Sequence, residues 1–330
     1  MLFRGGFRAG RRGGALLLSD RAHSIMLRSL RAADKRRRGS ERQNFIRAFQ
    51  MLKQCRAKSL PCLLLAAFLG VSSSLAAFGA DAPFASAFDK ARTSSARLLA
   101  GGRDKEGLYA AGVEIDLDPN TVTYWRQPGD AGSPPVFDFS RSVNVASVEV
   151  LYPGPKHMDE AGSIVAGYDA NVIFPLRVAP RDPKAPVVLD LALDYAACGK
   201  ICLPARARLS LPFAAGGASP FAGQIAQALA LVPKKVAPAE AKSLFALTRR
   251  EDKPNAWRLT YLGQGKARDL FAETPEPLFL DSARSADGEG FDLTLVSSCC
   301  GAAKPRQSGV AATLTIMTDV GAFEMQAVLE

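Results

Sequence analysis

The chain has 330 residues, 48% of them hydrophobic, and carries 42 Lys or Arg against 32 Asp or Glu for a net charge of +10. That charge is not spread along it: residues 1–50 hold thirteen basic and three acidic residues, so everything after residue 50 sums to zero. The basic balance therefore describes a leader and not a folded surface, and with no helix-turn-helix, zinc-finger or aromatic-basic strand pattern a nucleic-acid binder is excluded.

Residues 1–50 read as a basic disordered leader or a start-site artefact. From Met51 the pattern changes: Lys53, Arg56 and Lys58 precede an apolar core from Leu60 to Val71 and a small-residue exit from Ser72 to Ala80. Residues 51–80 therefore read as a cleaved secretory signal peptide, too short and wrongly flanked for a stable membrane span. Cys62 follows Pro61 where a lipoprotein signal wants a small residue, which argues against lipidation. A periplasmic, soluble mature chain is expected. In that oxidising compartment its four cysteines, Cys198, Cys202, Cys299 and Cys300, are disulfide candidates. His157 is the only histidine after the signal, so a His-rich zinc or copper site is excluded and no metal is expected.

Short alternating runs then recur between turns. Strands are expected over residues 94–100, 108–117, 121–125, 143–152 and 171–178, with an Asp118-Pro119-Asn120 turn and a loop from Gln127 to Pro135. This spacing predicts an all-β chain whose residues 81–215 form an Ig-like β-sandwich. Residues 216–235 read as a helical linker, with helical spacing and a leading proline from Pro220 to Leu231. Residues 236–330 read as a second, smaller β-domain with strands over 245–248, 257–261, 277–280, 291–296, 310–318 and 322–329.

The centre of the chain is Ala197-Cys198-Gly199-Lys200-Ile201-Cys202-Leu203-Pro204. Before it, Leu189, Leu191, Leu193 and Tyr195 fall on one face of an alternating run; after it, Arg206, Arg208 and Ser210 fall on the opposite face. The two runs read as a half-buried β-hairpin with a cysteine pair at its mouth. A disulfide there closes a loop worth only about 2 kcal/mol in the chain-entropy model, a weak staple, so a functional pair and a structural clip are both kept. The spacing is not the Cys-x2-Cys of thioredoxin-like motifs, and Lys200 is the only cation inside the loop.

The remaining candidates each carry two readings. His157, beside Pro155 and Lys156, is an exposed loop histidine or a proton shuttle near the cysteines. Tyr195 packs in the core or sends its hydroxyl to them, and Trp125 reads as core. Asp159 and Glu160 are solvated loop charges or carboxylates that hinder thiolate formation until a partner docks. The adjacent Cys299 and Cys300 read as incidental thiols, a redox or metal site, or an unusual disulfide. A single mature histidine and no Gly-x-Ser-x-Gly elbow exclude a serine hydrolase. The lack of a Gly-rich strand-to-helix loop excludes nucleotide cofactors, and no cofactor is expected.

Tyr124-Trp125-Arg126-Gln127-Pro128-Gly129-Asp130-Ala131-Gly132-Ser133-Pro134-Pro135, Phe137-Asp138-Phe139-Ser140 and Tyr195-Ala196-Ala197-Cys198 through Pro204 resemble the N-terminal periplasmic domain of the DsbD-like thiol:disulfide interchange proteins. Within that family they look closest to the branch that includes ScsB. The likeness covers residues 94–213 well and 236–330 weakly. It implies an Ig-like fold with a reactive pair on a hairpin, Cys198 and Cys202 in those places, and a shielding loop at His157-Met158-Asp159-Glu160-Ala161-Gly162. Family members put aromatic residues where Ala161 and Gly162 stand, so an aromatic lid does not carry over. The resemblance further implies electron relay from a membrane-embedded thiol reductase, here a separate chain, to thioredoxin-like periplasmic partners, a role of protein-disulfide reductase type. The alternatives are a β-sandwich binding or chaperone-like module with a structural disulfide, and a copper-handling protein using soft thiolates. The family also uses the second cysteine of the pair to contact its partner.

The exported protein is expected to start near Ala77 or Asp81 and to stay soluble without detergent. N-terminal sequencing of the periplasmic form checks this, and a form retaining residues before Met51 contradicts it.

Overall fold

The computed structural model describes residues 84–330 apart from 130, 161, 215–217 and 298–307, and these fall within one compact unit. The expected leader and signal peptide and the Cys299–Cys300 pair lie outside the described residues. Among the described residues the fold is all-β, with two lobes and two short helices. No helix among the described residues is long and apolar enough to cross a membrane.

The first lobe is built from β1 (Asp89–Lys90), β2 (Ser94–Arg103), β3 (Tyr109–Leu117), β4 (Thr123–Tyr124), β5 (Val136–Asp138), β6 (Val145–Val150), β7 (Lys156–Glu160), β8 (Ser163–Tyr168), β9 (Val172–Pro180), β10 (Val188–Cys198) and β11 (Cys202–Pro212). A five-stranded sheet, β1-β2-β3-β9-β6, faces a three-stranded sheet, β11-β10-β5. The alternation read from sequence explains the core between them. Leu189, Leu191, Leu193 and Tyr195 point inward and meet Leu98, Val113, Ile115 and Phe174 from the facing sheet, while Arg206, Arg208 and Ser210 stay exposed. The Asp118–Asn120 turn forms as expected, with Asn120 at φ 60, a backbone conformation that Asn tolerates better than most residues.

A third sheet, β4-β8-β7, closes one end of this sandwich. The sequence reading of residues 157–162 as a loop is corrected here, since β7 and β8 form a hairpin with His157 opposite Ala166 and Met158 opposite Val165. Lys156-His157-Met158-Asp159-Glu160 lacks the β-branched and aromatic residues that mark a strand, so only its pairing with β8 makes it one. Gly162, at φ 90, makes the turn, and its N–H donates to Asp159 Oδ1 at 2.9 Å. Gly167 lets β8 lie against β4, because a Cβ there would sit 2.2 Å from the Thr123 carbonyl oxygen.

The linker helix α1 (Ala222–Ala230) matches the expected Pro220–Leu231 span and buries Ile225 and Ala228. The second lobe follows as β12 (Lys234–Lys235), α2 (Pro238–Leu244), β13 (Phe245–Arg249), β14 (Ala256–Tyr261), β15 (Ala267–Glu273), β16 (Leu278–Arg284), β17 (Gly290–Ser297), β18 (Val310–Thr318) and β19 (Gly321–Leu329). Its sheets, β12-β19-β18-β15 and β13-β14-β17-β16, enclose a separate core around Trp257, Leu259, Leu293, Leu314 and Ile316. The helix α2 and the strand β15 are not legible in the spacing: α2 buries none of its residues, and β15 carries the charged pair Arg268 and Asp269 directly after its first residue.

Candidate redox site

β10 and β11 pair without a slip down to Cys198 opposite Cys202, leaving Gly199, Lys200 and Ile201 as the tip. The two cysteines form a disulfide with their Cα atoms 4.0 Å apart. The other edge of Cys198 is also taken. Its N–H donates to the Val122 carbonyl at 2.9 Å, and the Val122 N–H donates to the Cys198 carbonyl at 2.8 Å. Thr123 Oγ1 donates to the Ala196 carbonyl, so the approach to β4 is stitched along the end of β10.

That stitching buries one sulfur and leaves the other open. Cys198 is 1% exposed and packs with Tyr124, Val165, Ala196 and Met158, whereas Cys202 is exposed, as are Lys200 and Ile201 beside it. Tyr124 Oη stands between the disulfide and Glu160. It is 2.9 Å from Cys198 Sγ, 3.1 Å from Cys202 Sγ and 2.6 Å from Glu160 Oε2. One hydroxyl has one proton, and the short bond to a carboxylate is the stronger, so the proton points to Glu160 and the sulfurs meet the oxygen's other side. Burial, then the bond to Glu160 and its charge, push the Tyr124 hydroxyl well above the ordinary tyrosine value, and it stays protonated. Glu160 Oε1 lies 3.3 Å from Cys202 Sγ. Once the disulfide opens, the Cys202 thiol can donate to that oxygen, and a thiolate there would face a carboxylate.

Of the residues singled out from sequence, Cys198, Cys202 and Glu160 meet at one point, and Lys200 caps the tip. Asp159 instead holds the β7–β8 turn. Tyr195 takes its core reading and not the site-tuning one: its hydroxyl pairs with Ser94 Oγ at 2.9 Å within the sandwich core, because it shares the inward face of Leu191 and Leu193. His157 is corrected. It lies on the other face of β7, with Nδ1 3.0 Å from the Asp269 carboxylate and its ring stacked on Phe271 at 4.2 Å. Tyr124 is the residue that sequence reasoning missed, although it stands in the first quoted motif. The available signal was parity, since a neighbour of the core residue Trp125 must face the other way along a strand.

Residues 98–214 match the family model described as "Thiol:disulfide interchange protein DsbD, N-terminal". Together with the all-β sandwich and its hairpin disulfide, the match makes this part of the chain similar to the N-terminal domain of DsbD. Among solved structures, the N-terminal periplasmic domain of ScsB from Proteus mirabilis is similar, with a TM-score of 0.59 at 20% identity over 74% of this chain and 98% of that one. It shares the fold across both lobes' length. No curated protein sequence matches the chain.

In the reduced protein, Glu160→Gln is expected to raise the alkylation rate of Cys202 at neutral pH by roughly three- to tenfold, by removing the charge that opposes its thiolate. Peptide mass spectrometry after timed iodoacetamide treatment reads this, and an unchanged rate contradicts it.

Proposed function

We propose that the protein is a periplasmic thiol–disulfide exchange component, taking electrons from a membrane-embedded thiol reductase and passing them to thioredoxin-like partners. The observation that carries this reading is the asymmetry of the pair: one sulfur exposed at a hairpin tip, the other buried beside a hydroxyl that can donate to it. A staple needs neither feature. Export of the chain through residues 51–80 is part of the same reading, and the family match over residues 98–214 supports the chemistry.

The exchange runs in two displacements. A thiolate of the electron donor attacks Cys202 Sγ; a sulfur–sulfur bond forms between the two proteins as the Cys198–Cys202 bond breaks. Cys198 leaves as a thiolate in an apolar pocket that disfavours it, and there Tyr124 Oη, 2.9 Å away, can turn its proton toward the sulfur. The donor's second thiolate then attacks the donor sulfur of the mixed disulfide, completes the donor's own disulfide and frees Cys202. Two electrons have passed to the pair, and both thiols take up protons. Delivery is the reverse: the Cys202 thiolate attacks the acceptor disulfide, and Cys198 resolves the link. Glu160 keeps the free Cys202 as a thiol until an incoming partner displaces or neutralises that carboxylate.

A second reading rests on one observation. Cys198, Cys202 and Glu160 offer ligand atoms within 4.8 Å of one another, and opening the disulfide would make them a soft-donor set suited to monovalent copper.

The relay reading is tested by trapping. Cys198→Ser is expected to accumulate a mixed disulfide through Cys202 with a thioredoxin-like protein in periplasmic extracts, and Cys202→Ser to trap little. Changing Cys299 and Cys300 to Ser should leave trapping intact. Equal trapping by both single variants contradicts the assignment of roles, and no trapping by either favours a structural clip.

A further inference from the structure

The sheet β4-β8-β7 has two faces, and they serve different lobes. Its front carries Tyr124, Met158, Glu160 and Val165 toward the disulfide. Its back carries Trp125, His157 and Ala166, and Trp125 meets Phe271 of β15 edge-on at 5.7 Å. Two polar anchors join this back face to the second lobe. One is His157, held by Asp269 and Phe271 of β15. The other is Arg126, two residues past the end of β4, whose Nε lies 3.1 and 3.0 Å from the two Glu273 oxygens and whose Nη2 is 2.6 Å from Oε1; Nη2 also pairs with Glu324 of β19. Burial works against the Arg126 charge, but the bonds to Glu273 and the fields of both carboxylates outweigh it and keep the guanidinium protonated.

We propose that the second lobe is a positioning module for the redox pair, with His157 and Arg126 as positioning residues that fix Glu160 and Tyr124 against the sulfurs by holding the back of the same sheet. The mechanical link is the strand itself. In β7, His157 and Glu160 are three residues, about 10 Å, apart and so point to opposite faces, and Arg126 is joined to Tyr124 through Trp125 alone, so a shift at His157 or Arg126 carries to Glu160 or Tyr124. The back face is not filled: Ile164 is exposed and a cavity of about 440 Å³ lies beside His157, Trp125 and Phe271. Apolar contact there centres on the buried Trp125, Ala166 and Phe271, and the polar anchors hold the hairpin beyond them. This inference rests on the proposed exchange function for its significance, but not for its test.

The test uses the full exported chain, reduced, with the alkylation rate of Cys202 read by peptide mass spectrometry. Arg126 is unsuited to it, since its removal leaves two carboxylates facing each other and threatens the fold. His157→Ala and Asp269→Asn are each expected to speed Cys202 alkylation about threefold or more, yet to add almost nothing in a Glu160→Gln background, the non-additivity of residues that act through one another. Thermal melting shows whether each variant folds, and if His157→Ala does not, Asp269→Asn decides. No acceleration by the folded single variants overturns the proposal, as does an equal acceleration with and without the Glu160 carboxylate. No partner protein enters these rates, so failure of partner trapping and failure of this coupling are separate results.

Discussion

Tyr124 Oη, 2.6 Å from a carboxylate and within 3.1 Å of two sulfurs, is the contact on which the redox end of this molecule depends. Its raised pKa means that the hydroxyl is a donor at every physiological pH, so it can serve the carboxylate in the oxidised state and a buried thiolate during exchange. The two functions draw on one proton.

The rest of the fold places that hydroxyl. The unslipped β10–β11 ladder sets the two sulfurs face to face, and the Val122–Cys198 bridge fixes β4 alongside. Gly167 then admits β8 close enough for β7 to carry Glu160 over the exposed sulfur. Ionic and aromatic contacts behind the sheet tie it to the second lobe. Exposed pairs such as Arg206–Asp194 contribute on the order of 0–1 kcal/mol at most, whereas the Arg126 cluster is partly buried and bidentate, so its loss would leave charges unpaired away from water.

Much of this was legible in the sequence where a period-two pattern is strong. The hairpin, its inward Leu189, Leu191 and Leu193, and most strands of both lobes follow from alternation alone, and the helix near residues 220–231 follows from its leading proline and apolar spacing. The cysteine pair was legible from its place between two alternating runs. What spacing could not carry was long-range pairing. Apart from Met158, β7 is polar and becomes a strand only against β8, so His157 and Glu160 could not be assigned to opposite faces. For the same reason spacing offers Tyr195, three residues from Cys198, as the only nearby hydroxyl in the hairpin and gives no sign of Tyr124, which only the folded end of the sandwich brings near. Arg126 gave no sign of its role, because Glu273 and Glu324 lie far away in sequence.

The central claim is that Cys198–Cys202 is an exchanging pair and not a staple. Equilibration of the disulfide with a glutathione redox buffer measures this directly. A potential above about −300 mV, within the roughly −270 to −180 mV of proteins that trade electrons with other thiols, is the expected result; a value far below about −300 mV, where structural disulfides lie, would contradict it.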